Sequence, residues 1–455
     1  MPASRGSAAR RKARQVCCAA MNQPADALAR ARALFLQGVE LLESDRADAA
    51  ETQFEAALQL APGRPSVLVN LGVARLRLGR PADALAPLDE AVAAEPDQPD
   101  TWCHRGLALA ALEREAQALA SFERALAVDA GHAAARFQQA LSLNRLRRHD
   151  AALAALQTLL AQHPGLAPAW QLQGQTLQSL ERHAEALPAY QRAVTLDQAL
   201  GEAWSLLGQL HKDAGQREAA RHAFERAIAA GADAALNAYF LAALDGRDAP
   251  AAAPDAYVRG LFDHYADDFE PHLLDVLHYR AHEAVVQAAA PLCAAPLASA
   301  LDLGCGTGLC GPLLRPLAAH LEGVDLSPTM LARAEARHCY DALVQADIAE
   351  HLRNTPRRHG LVVATDVFIY VGDLAPVFAG VQRVLEPGGV FAFSVESHDG
   401  AGFVLRPSLR YAHAEPYLRT LAEAHGLRVE HLQPTILRED QRQPIAGLVV
   451  CLRAT

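Results

Sequence analysis

The chain has 455 residues, 51% of them apolar, and a formal net charge of −10, which suits two or three domains with ordinary packed cores. An acidic chain is poorly suited to gripping the phosphate backbone of a nucleic acid, and no apolar run reaches the length of a transmembrane span. We therefore expect a soluble cytoplasmic protein that acts on small molecules or proteins, with no nucleic-acid and no membrane partner.

Residues 1–20 are basic and include Arg10, Arg11 and Lys12. The apolar run at 16–20 is too short for a signal peptide, and Met21 opens a more ordinary N-terminus. We expect residues 1–30 to be a flexible extension and lead-in, and it stays open whether the first twenty are translated. The eight cysteines contain no C-x-x-C pair and predict reduced thiols.

A 34-residue period then runs from Ala31 to Ala234 through six units. One position of the unit is small in every copy: Gly38, Gly72, Gly106, Ala140, Gly174 and Gly208. A second position is large and apolar: Phe54, Leu88, Phe122, Leu156, Tyr190 and Phe224. The small residue lets the two helices of a unit approach closely, and we expect the large residue to fill the gap to the next unit. Pro62, Pro96 and Pro164 predict the ends of second helices.

This pattern, with tryptophans only at 102, 170 and 204, resembles the tetratricopeptide repeat. The resemblance implies an α superhelix, a solenoid of six repeats plus a capping helix, over residues 31–245. Its concave groove is expected to be apolar early, at Phe35, Val39 and Val73, and polar late, at Gln171 and Gln175. The Lys and Asn of the family's carboxylate clamp are absent there. We expect an extended peptide or protein partner in the groove; the alternative is a spacer or dimerisation arm.

Residues 246–256 are rich in Gly, Pro and Ala and predict a linker. A short apolar strand then ends at Leu303, a glycine-rich turn follows, and Leu309–His320 is predicted to be a helix. Strand, glycine turn and helix together form the ligand-binding crevice of a doubly wound sheet. The glycines at 304, 306 and 308 do not fit the spacing of a dinucleotide fingerprint.

Two further strands each end in an acid, at Asp325 and Asp347, and a mainly apolar strand covers Leu361–Phe368. Final antiparallel strands are predicted at Arg428–Leu432 and Ile445–Leu452. Ser327 is predicted to cap the helix that begins at Pro328.

The D-x-G-x-G-x-G pattern that begins at Asp302 resembles motif I of class I S-adenosylmethionine-dependent methyltransferases. The resemblance implies an α/β Rossmann-like, doubly wound domain over residues 257–455. It also implies an S-adenosylmethionine site made by Asp302, Gly304, Gly306, Gly308, Asp325, Leu326, Asp347 and Ile348. In this assignment Asp325 accepts hydrogen bonds from the ribose, Asp347 from the adenine amino group, and Ile348 packs on the ring. Asp347 has an alternative role as a helix N-cap.

The segment around Phe262 and Tyr265 resembles the leading segment of small-molecule methyltransferases of the biotin and ubiquinone biosynthetic type. The resemblance puts Tyr265 near the methyl donor. Because the cofactor itself carries the reactive group, no catalytic residue can be assigned, and Tyr265, Asp366, His398 and His413 are weak candidates. Residues 410–413 are expected to contact substrate or to form a surface loop. His278 and His282 lie four apart on a predicted helix but lack further ligands, so no metal is expected.

The combination resembles a bacterial family of predicted methyltransferases with N-terminal tetratricopeptide repeats. It predicts an S-adenosylmethionine-dependent enzyme that methylates a small molecule or a protein. The alternative is a repeat scaffold in which a methyltransferase fold survives only as an interaction domain.

Overall fold

The computed structural model describes residues 26–246, 249–265, 269–294, 296–440 and 443–455, without the side chains at 263–265, 269, 272 and 440. The chain folds into two compact units that divide between Leu210 and His211. Within the described ranges, no helix is both long and apolar enough to cross a membrane.

The first unit is built from helix pairs that follow the 34-residue period, and the prediction of tetratricopeptide repeats is confirmed. Its helices are α1 (26–43), α2 (Ala47–Leu60), α3 (Pro65–Arg77), α4 (Pro81–Ala94), α5 (Pro99–Ala111), α6 (Glu115–Val128), α7 (Ala133–Arg145), α8 (His149–Gln162), α9 (Ala167–Ser179), α10 (His183–Leu196) and α11 (Gly201–Asp213), the last of which runs across the division. Helices α2, α4 and α8 end just before Pro62, Pro96 and Pro164, since proline cannot donate the next backbone hydrogen bond.

The small and large positions of a repeat contact each other within one helix pair. A Cβ atom added to Gly38 would lie 2.5 Å from the ring of Phe54, and one added to Gly106 would lie 2.4 Å from Phe122. Each ring therefore covers the glycine of its own unit, whereas we expected it to fill the gap to the next unit. The glycine is needed because any side chain would displace the ring.

The second unit contains the last two repeat-type helices and an α/β domain. Its further helices are α12 (Arg217–Ala229), α13 (Ala234–Asp245), α14 (Asp255–Tyr265), α15 (Phe269–Pro271), α16 (Ala281–Ala289), α17 (Gly311–Leu314), α18 (Pro328–Ala336), α19 (Ile348–Asn354), α20 (Ala375–Val384) and α21 (Glu415–Ala424). Its strands are β1 (Leu297–Leu303), β2 (Ala318–Asp325), β3 (Ala342–Gln345), β4 (His359–Ala364), β5 (Leu385–Ser397), β6 (Phe403–Leu405), β7 (Tyr411–His413), β8 (Leu427–Asp440) and β9 (Gln443–Ala454).

All of these strands belong to one mixed sheet. Strands β3, β2, β1, β4 and β5 lie side by side in that order and run parallel. Strand β9 pairs antiparallel with β5, and β8 pairs antiparallel with β9, as predicted for the last two strands. Strand β7 pairs with the last two residues of β5, and β6 pairs with β7. The predicted doubly wound α/β domain is confirmed.

Alternate residues of the central strands enter two separate cores. Leu301, Leu303, Val362 and Ala364 belong to one cluster of buried residues. Ala300 belongs, with Leu361 and Val363, to a second cluster that includes helix α16. Because side chains alternate across a sheet, burial on both faces requires the continuous apolar runs seen in these strands.

Some local predictions are wrong. The strand expected over Leu361–Phe368 ends as β4 at Ala364, and Phe368–Tyr370 form a short 3-10 turn. The helix expected over Leu309–His320 is the single turn α17, because Pro316 cannot continue it, and Ala318 already begins β2. His278 and His282 do not share a helix, because the chain turns at His278, where φ is +49°, before α16 begins at Ala281.

The expected capping helix forms as α13 and packs inside the second unit. Its Tyr239 and Phe240 belong to a buried cluster with Leu409 and Tyr411. The sequence thus places the end of the repeats and their capping helix at residue 245, whereas packing divides the chain after Leu210. The helices after that point are repeats by sequence but belong to the α/β unit by contact.

Candidate active site

The glycine-rich turn after β1 has a left-handed backbone at all three of its glycines. The φ angles of Gly304, Gly306 and Gly308 are +64°, +54° and +84°. A Cβ atom at Gly304 would lie 2.4 Å from Val367, and one at Gly308 would lie 3.0 Å from Arg337. A Cβ atom at Gly306 would have no described protein atom within 4 Å, and Gly306 lines a cavity. A side chain there would occupy space that is open to a ligand.

Asp302, two residues before this turn, is buried inside the domain. Only 1% of the residue is exposed, and its Oδ2 atom accepts a hydrogen bond of 2.7 Å from the Tyr340 hydroxyl. Its Oδ1 atom has no partner among the described residues. Burial raises the pKa of the Asp302 carboxyl to about 7, despite the Tyr340 hydrogen bond, which favours the ionised form. Asp302 and Gly308 are not among the described residues that line the cavity.

The acid at the end of β2 fixes the turn from the other side. Asp325 accepts hydrogen bonds from the backbone N–H groups of Gly306, at 2.8 Å, and of Ser327, at 2.9 Å. These bonds hold the carboxylate at the cavity wall, in position to accept hydrogen bonds from ligand hydroxyl groups. Ser327 caps α18 through its side chain, as predicted.

Asp347 lines the cavity together with Ile348 and Leu326. Its Oδ1 atom also accepts a hydrogen bond of 2.9 Å from the backbone N–H of Glu350 and caps α19. The alternative capping role is therefore present in the structure, and it orients the carboxylate rather than removing it from the wall.

The cavity has a volume of about 360 Å³, a size typical of small-molecule sites. Six of the eight predicted cofactor residues line it: Gly304, Gly306, Asp325, Leu326, Asp347 and Ile348. The titratable residues elsewhere on its wall include Tyr279, His282, Asp366, Tyr370, Arg410 and Arg438.

A buried ion-pair network closes one side of the cavity. Arg438, whose side chain is 1% exposed, donates to Asp366 at 2.6 Å and also to Glu396. Glu396 accepts a second bond, of 2.7 Å, from Arg406. Asp366 has a left-handed backbone with φ of +58°. Since two carboxylates face two guanidinium groups, the network is compensated in charge, which a buried site requires.

The rings of Tyr279 and Tyr370 lie beside this network. Tyr279 stacks on His282 with ring centroids 5.3 Å apart. Burial raises the pKa of the Tyr279 and Tyr370 hydroxyls, so both stay neutral at physiological pH. Burial also lowers the pKa of His282, and its Nδ1 atom has no partner among the described residues. His282 is therefore a neutral imidazole at the cavity wall.

The four weak catalytic candidates are not brought together. Asp366 lines the cavity but is ion-paired. His413 is buried, its ring bonds to the Gly372 carbonyl at 3.0 Å, and burial lowers its pKa to about 4. His398 orders a turn by accepting a 3.0 Å bond from the Gly400 N–H. Neither histidine is among the described cavity residues, and the side chain of Tyr265 lies outside the described part.

Sequence reasoning missed Arg438, Glu396, Tyr340 and Tyr279. The sequence did contain an indication for Glu396, because it lies at the carboxyl end of a parallel strand, where Asp325 and Asp347 were also predicted to lie. Arg438 had none, since its partners lie 72 and 42 residues away. Within the described residues, no group of three or more His, Cys, Asp or Glu is placed to hold a metal ion.

Family models match both parts of the chain. A methyltransferase-domain model matches residues 301–393. Tetratricopeptide-repeat models match residues 35–99 and 104–167, and residues 167–200 and 201–230.

Curated relatives match shorter segments. The biotin biosynthesis bifunctional protein of Bordetella avium is 32% identical over 31% of this chain and 30% of its own length. A malonyl-[acyl-carrier protein] O-methyltransferase of Pseudescherichia vulneris is 32% identical over 26% of this chain and 48% of its own. A ubiquinone biosynthesis O-methyltransferase of Bordetella pertussis is 26% identical over 32% of this chain and 66% of its own. The chain thus spans between about a third and two thirds of these relatives.

Among solved structures, a crystal structure of the MamA protein is 21% identical, with a TM-score of 0.35, over 37% of this chain and 92% of that one. The glycine turn and sheet order agree with the match to the methyltransferase model, and the helix pairs agree with the matches to the repeat models. The chain therefore combines tetratricopeptide repeats with an α/β domain that matches a methyltransferase-domain model over residues 301–393.

Proposed function

We propose that this chain is an S-adenosylmethionine-dependent methyltransferase that acts on an oxygen atom of a small-molecule or protein acceptor. The observation that carries the proposal is the turn at Gly306. Its left-handed backbone opens onto a cavity of about 360 Å³, and the Asp325 carboxylate is fixed beside it by the Gly306 N–H. Transfer to oxygen is supported by the names of two relatives, both called O-methyltransferases.

The residues present fit the cofactor. A side chain at Gly306 would fill the space beside the turn, as expected where a ligand approaches the bare backbone. In this proposal Asp325 accepts hydrogen bonds from the ribose hydroxyls, Asp347 accepts one from the adenine amino group, and Ile348 packs on the adenine. We call the lining residues that serve this purpose the cofactor wall: Gly304, Gly306, Asp325, Leu326, Asp347 and Ile348.

The cofactor supplies a methyl group that is already activated by the sulfonium. The protein then has to hold the acceptor in line, in a cavity from which water is excluded. We call the residues proposed for this purpose the acceptor wall: Tyr279, Asp366, Tyr370, Arg410 and Arg438.

The need for a base depends on the acceptor. A carboxylate acceptor needs none, whereas a hydroxyl group must lose a proton during transfer. Asp366 is ion-paired with Arg438, and the tyrosines are neutral acids, so we assign the role of base to His282, a neutral imidazole on the cavity wall. His282→Gln is expected to slow methyl transfer to phenols and to leave transfer to carboxylic acids unchanged. If the substitution changes the rate by the same factor for both acceptor classes, His282 is not the base.

We also propose that the repeats bind a protein or peptide partner. The proposal rests on the repeats themselves and on the half-buried apolar residues Phe35, Val39 and Val73 of their first helices. Peptides selected on the full chain from a random library should lose binding with Val73→Glu and keep it with Val128→Glu, a change at an exposed position. Equal binding by both variants would favour the spacer role.

Calorimetry on the full chain tests the cofactor proposal directly. Micromolar binding of S-adenosylmethionine, followed by transfer of its labelled methyl group to a set of carboxylic acids and phenols or to a bacterial protein fraction, is the expected result. Absence of cofactor binding by well-folded protein would overturn the proposal and favour the alternative, a non-catalytic scaffold.

A further inference from the structure

The turn between β6 and β7 carries two arginines, Arg406 and Arg410. It is closed by two backbone hydrogen bonds of 2.9 Å, from the Arg406 N–H to the Arg410 carbonyl and from the Leu409 N–H to the Arg406 carbonyl. Leu409 adopts a left-handed backbone with φ of +63°, which a leucine rarely does without support from its surroundings. Arg410, the next residue, lines the cavity.

The support comes from α13, the helix that follows the last repeat. Tyr239 of this helix is fully buried, and its hydroxyl donates a hydrogen bond of 2.6 Å to the Leu409 carbonyl. The Tyr239 ring lies 5.3 Å from the ring of Tyr257 and 6.2 Å from that of Tyr411. Because the Tyr239 ring is packed between these two rings, its hydroxyl is held in one orientation, toward the Leu409 carbonyl.

The bonded carbonyl belongs to the peptide unit that joins Leu409 to Arg410. Fixing its oxygen therefore fixes the plane of that peptide. The bond from the Arg406 N–H to the Arg410 carbonyl holds the next peptide unit, so the backbone of Arg410 is held on both sides of its Cα atom. In the same turn, Arg406 bonds to Glu396 at 2.7 Å, and Glu396 is tied to Arg438 on the acceptor wall. The turn thus contacts the cavity directly through Arg410 and indirectly through the Arg406–Glu396–Arg438 bonds. The Tyr239 hydroxyl binds the backbone of the same turn.

We propose that Tyr239 is a positioning residue for the acceptor wall: a helix supplied by the repeat region sets the place of Arg410 through the Leu409 carbonyl. That this wall binds a methyl acceptor rests on the proposed function, whereas the positioning of Arg410 by Tyr239 does not. It follows that the methyltransferase site is incomplete without a helix that the sequence assigns to the repeats.

The test compares Tyr239→Phe with Tyr411→Phe in the full chain. Tyr411 is a matched control because it is equally buried in the same cluster, but its hydroxyl donates to the Pro250 carbonyl in the linker instead. Two local readouts are used: amide hydrogen exchange at Arg406 and Leu409, and the rate at which phenylglyoxal modifies Arg410, both followed by mass spectrometry.

Tyr239→Phe is expected to raise exchange at both amides at least tenfold and modification of Arg410 several-fold, while Tyr411→Phe leaves both rates within twofold of the parent. Equal changes in the two variants, or an unchanged Arg410 rate in Tyr239→Phe, would overturn the proposal. A loss of protection throughout the sheet would also contradict it, since Tyr239 would then be a general core residue.

S-adenosylhomocysteine binding, measured on the same proteins, separates this proposal from the previous one. If the parent binds, Tyr239→Phe should bind within twofold, because Tyr239 and Leu409 are not among the described cavity residues; a tenfold loss would overturn local positioning. If the parent does not bind, the proposed enzyme fails, and the exchange and modification rates still decide the role of Tyr239.

Discussion

The two walls of the cavity are built in different ways. The cofactor wall comes from turns directly after β1, β2 and β3, and the bond between Gly306 and Asp325 joins residues only 19 positions apart. The acceptor wall joins residues from distant segments, and the pair of Arg438 and Asp366 is 72 positions apart. The first wall uses backbone groups and single carboxylates, whereas the second uses a compensated network of buried charges.

This difference predicts separable failures. A change in the cofactor wall should remove ligand binding and leave the fold intact, because the turn lies at the end of the strands. A change in the charged network should destabilise the fold, because an unpaired buried charge remains behind. The following variants test the separation, in order of decreasing effect.

Arg438→Met is expected to lower the free energy of unfolding by about 3–5 kcal/mol, because the Asp366 and Glu396 carboxylates lose their shared partner. Urea denaturation measures this change. Arg428→Met, which removes an exposed ion pair with Glu430 on the same strand, should cost less than about 1 kcal/mol. A similar small loss in both variants would mean that the network does not stabilise the acceptor wall.

Asp302→Asn should change how stability depends on pH. The folded pKa of about 7 lies above the unfolded value of 3.8, so the folded state binds more protons between these values. The parent should therefore lose about 3 kcal/mol of stability through this one group between pH 5 and pH 8, and the asparagine variant should not. Urea denaturation at both pH values measures the difference, and parallel pH profiles for the two proteins would refute the assignment.

Gly306→Val is expected to weaken S-adenosylmethionine binding at least about 100-fold, or roughly 2.7 kcal/mol, since its side chain enters the cavity. Gly388→Val is the matched control, because Gly388 also has a positive φ and open space around it but does not line the cavity. Calorimetry should show near-parental affinity for the control. Equal affinity of both variants would show that the turn does not face the ligand.

Asp325→Ala should weaken binding by roughly 1.5–3 kcal/mol, about 10- to 100-fold, because a charged hydrogen-bond acceptor is lost. Asp341→Ala serves as its control. Asp341 also accepts a backbone hydrogen bond, from the Leu321 N–H, but is absent from the described cavity wall. Unchanged affinity in folded Asp325→Ala protein would contradict the ribose assignment.

The two walls also differ in how well their residues could be predicted. Six of the predicted cofactor residues do line the cavity, because a strand end and a glycine turn place their side chains through local geometry. Asp302 is an exception, since its side chain points into the domain, where Tyr340 binds it. On the other wall, Asp366 and Arg410 were also expected near the acceptor and line the cavity. His398 and His413 do not, because their tertiary surroundings could not be known from the sequence.

The sequence by itself determined the repeats, the doubly wound class of the second domain and the glycine turn with its neighbouring carboxylates, because each follows from a period or from adjacent residues. Only the tertiary structure decided that α13 belongs to the second unit and that Arg438 joins Asp366 to Glu396. The physical reason is distance along the chain. A hydrogen bond between Tyr239 and Leu409, 170 residues apart, leaves no trace in either local pattern, and only folding brings the two groups together.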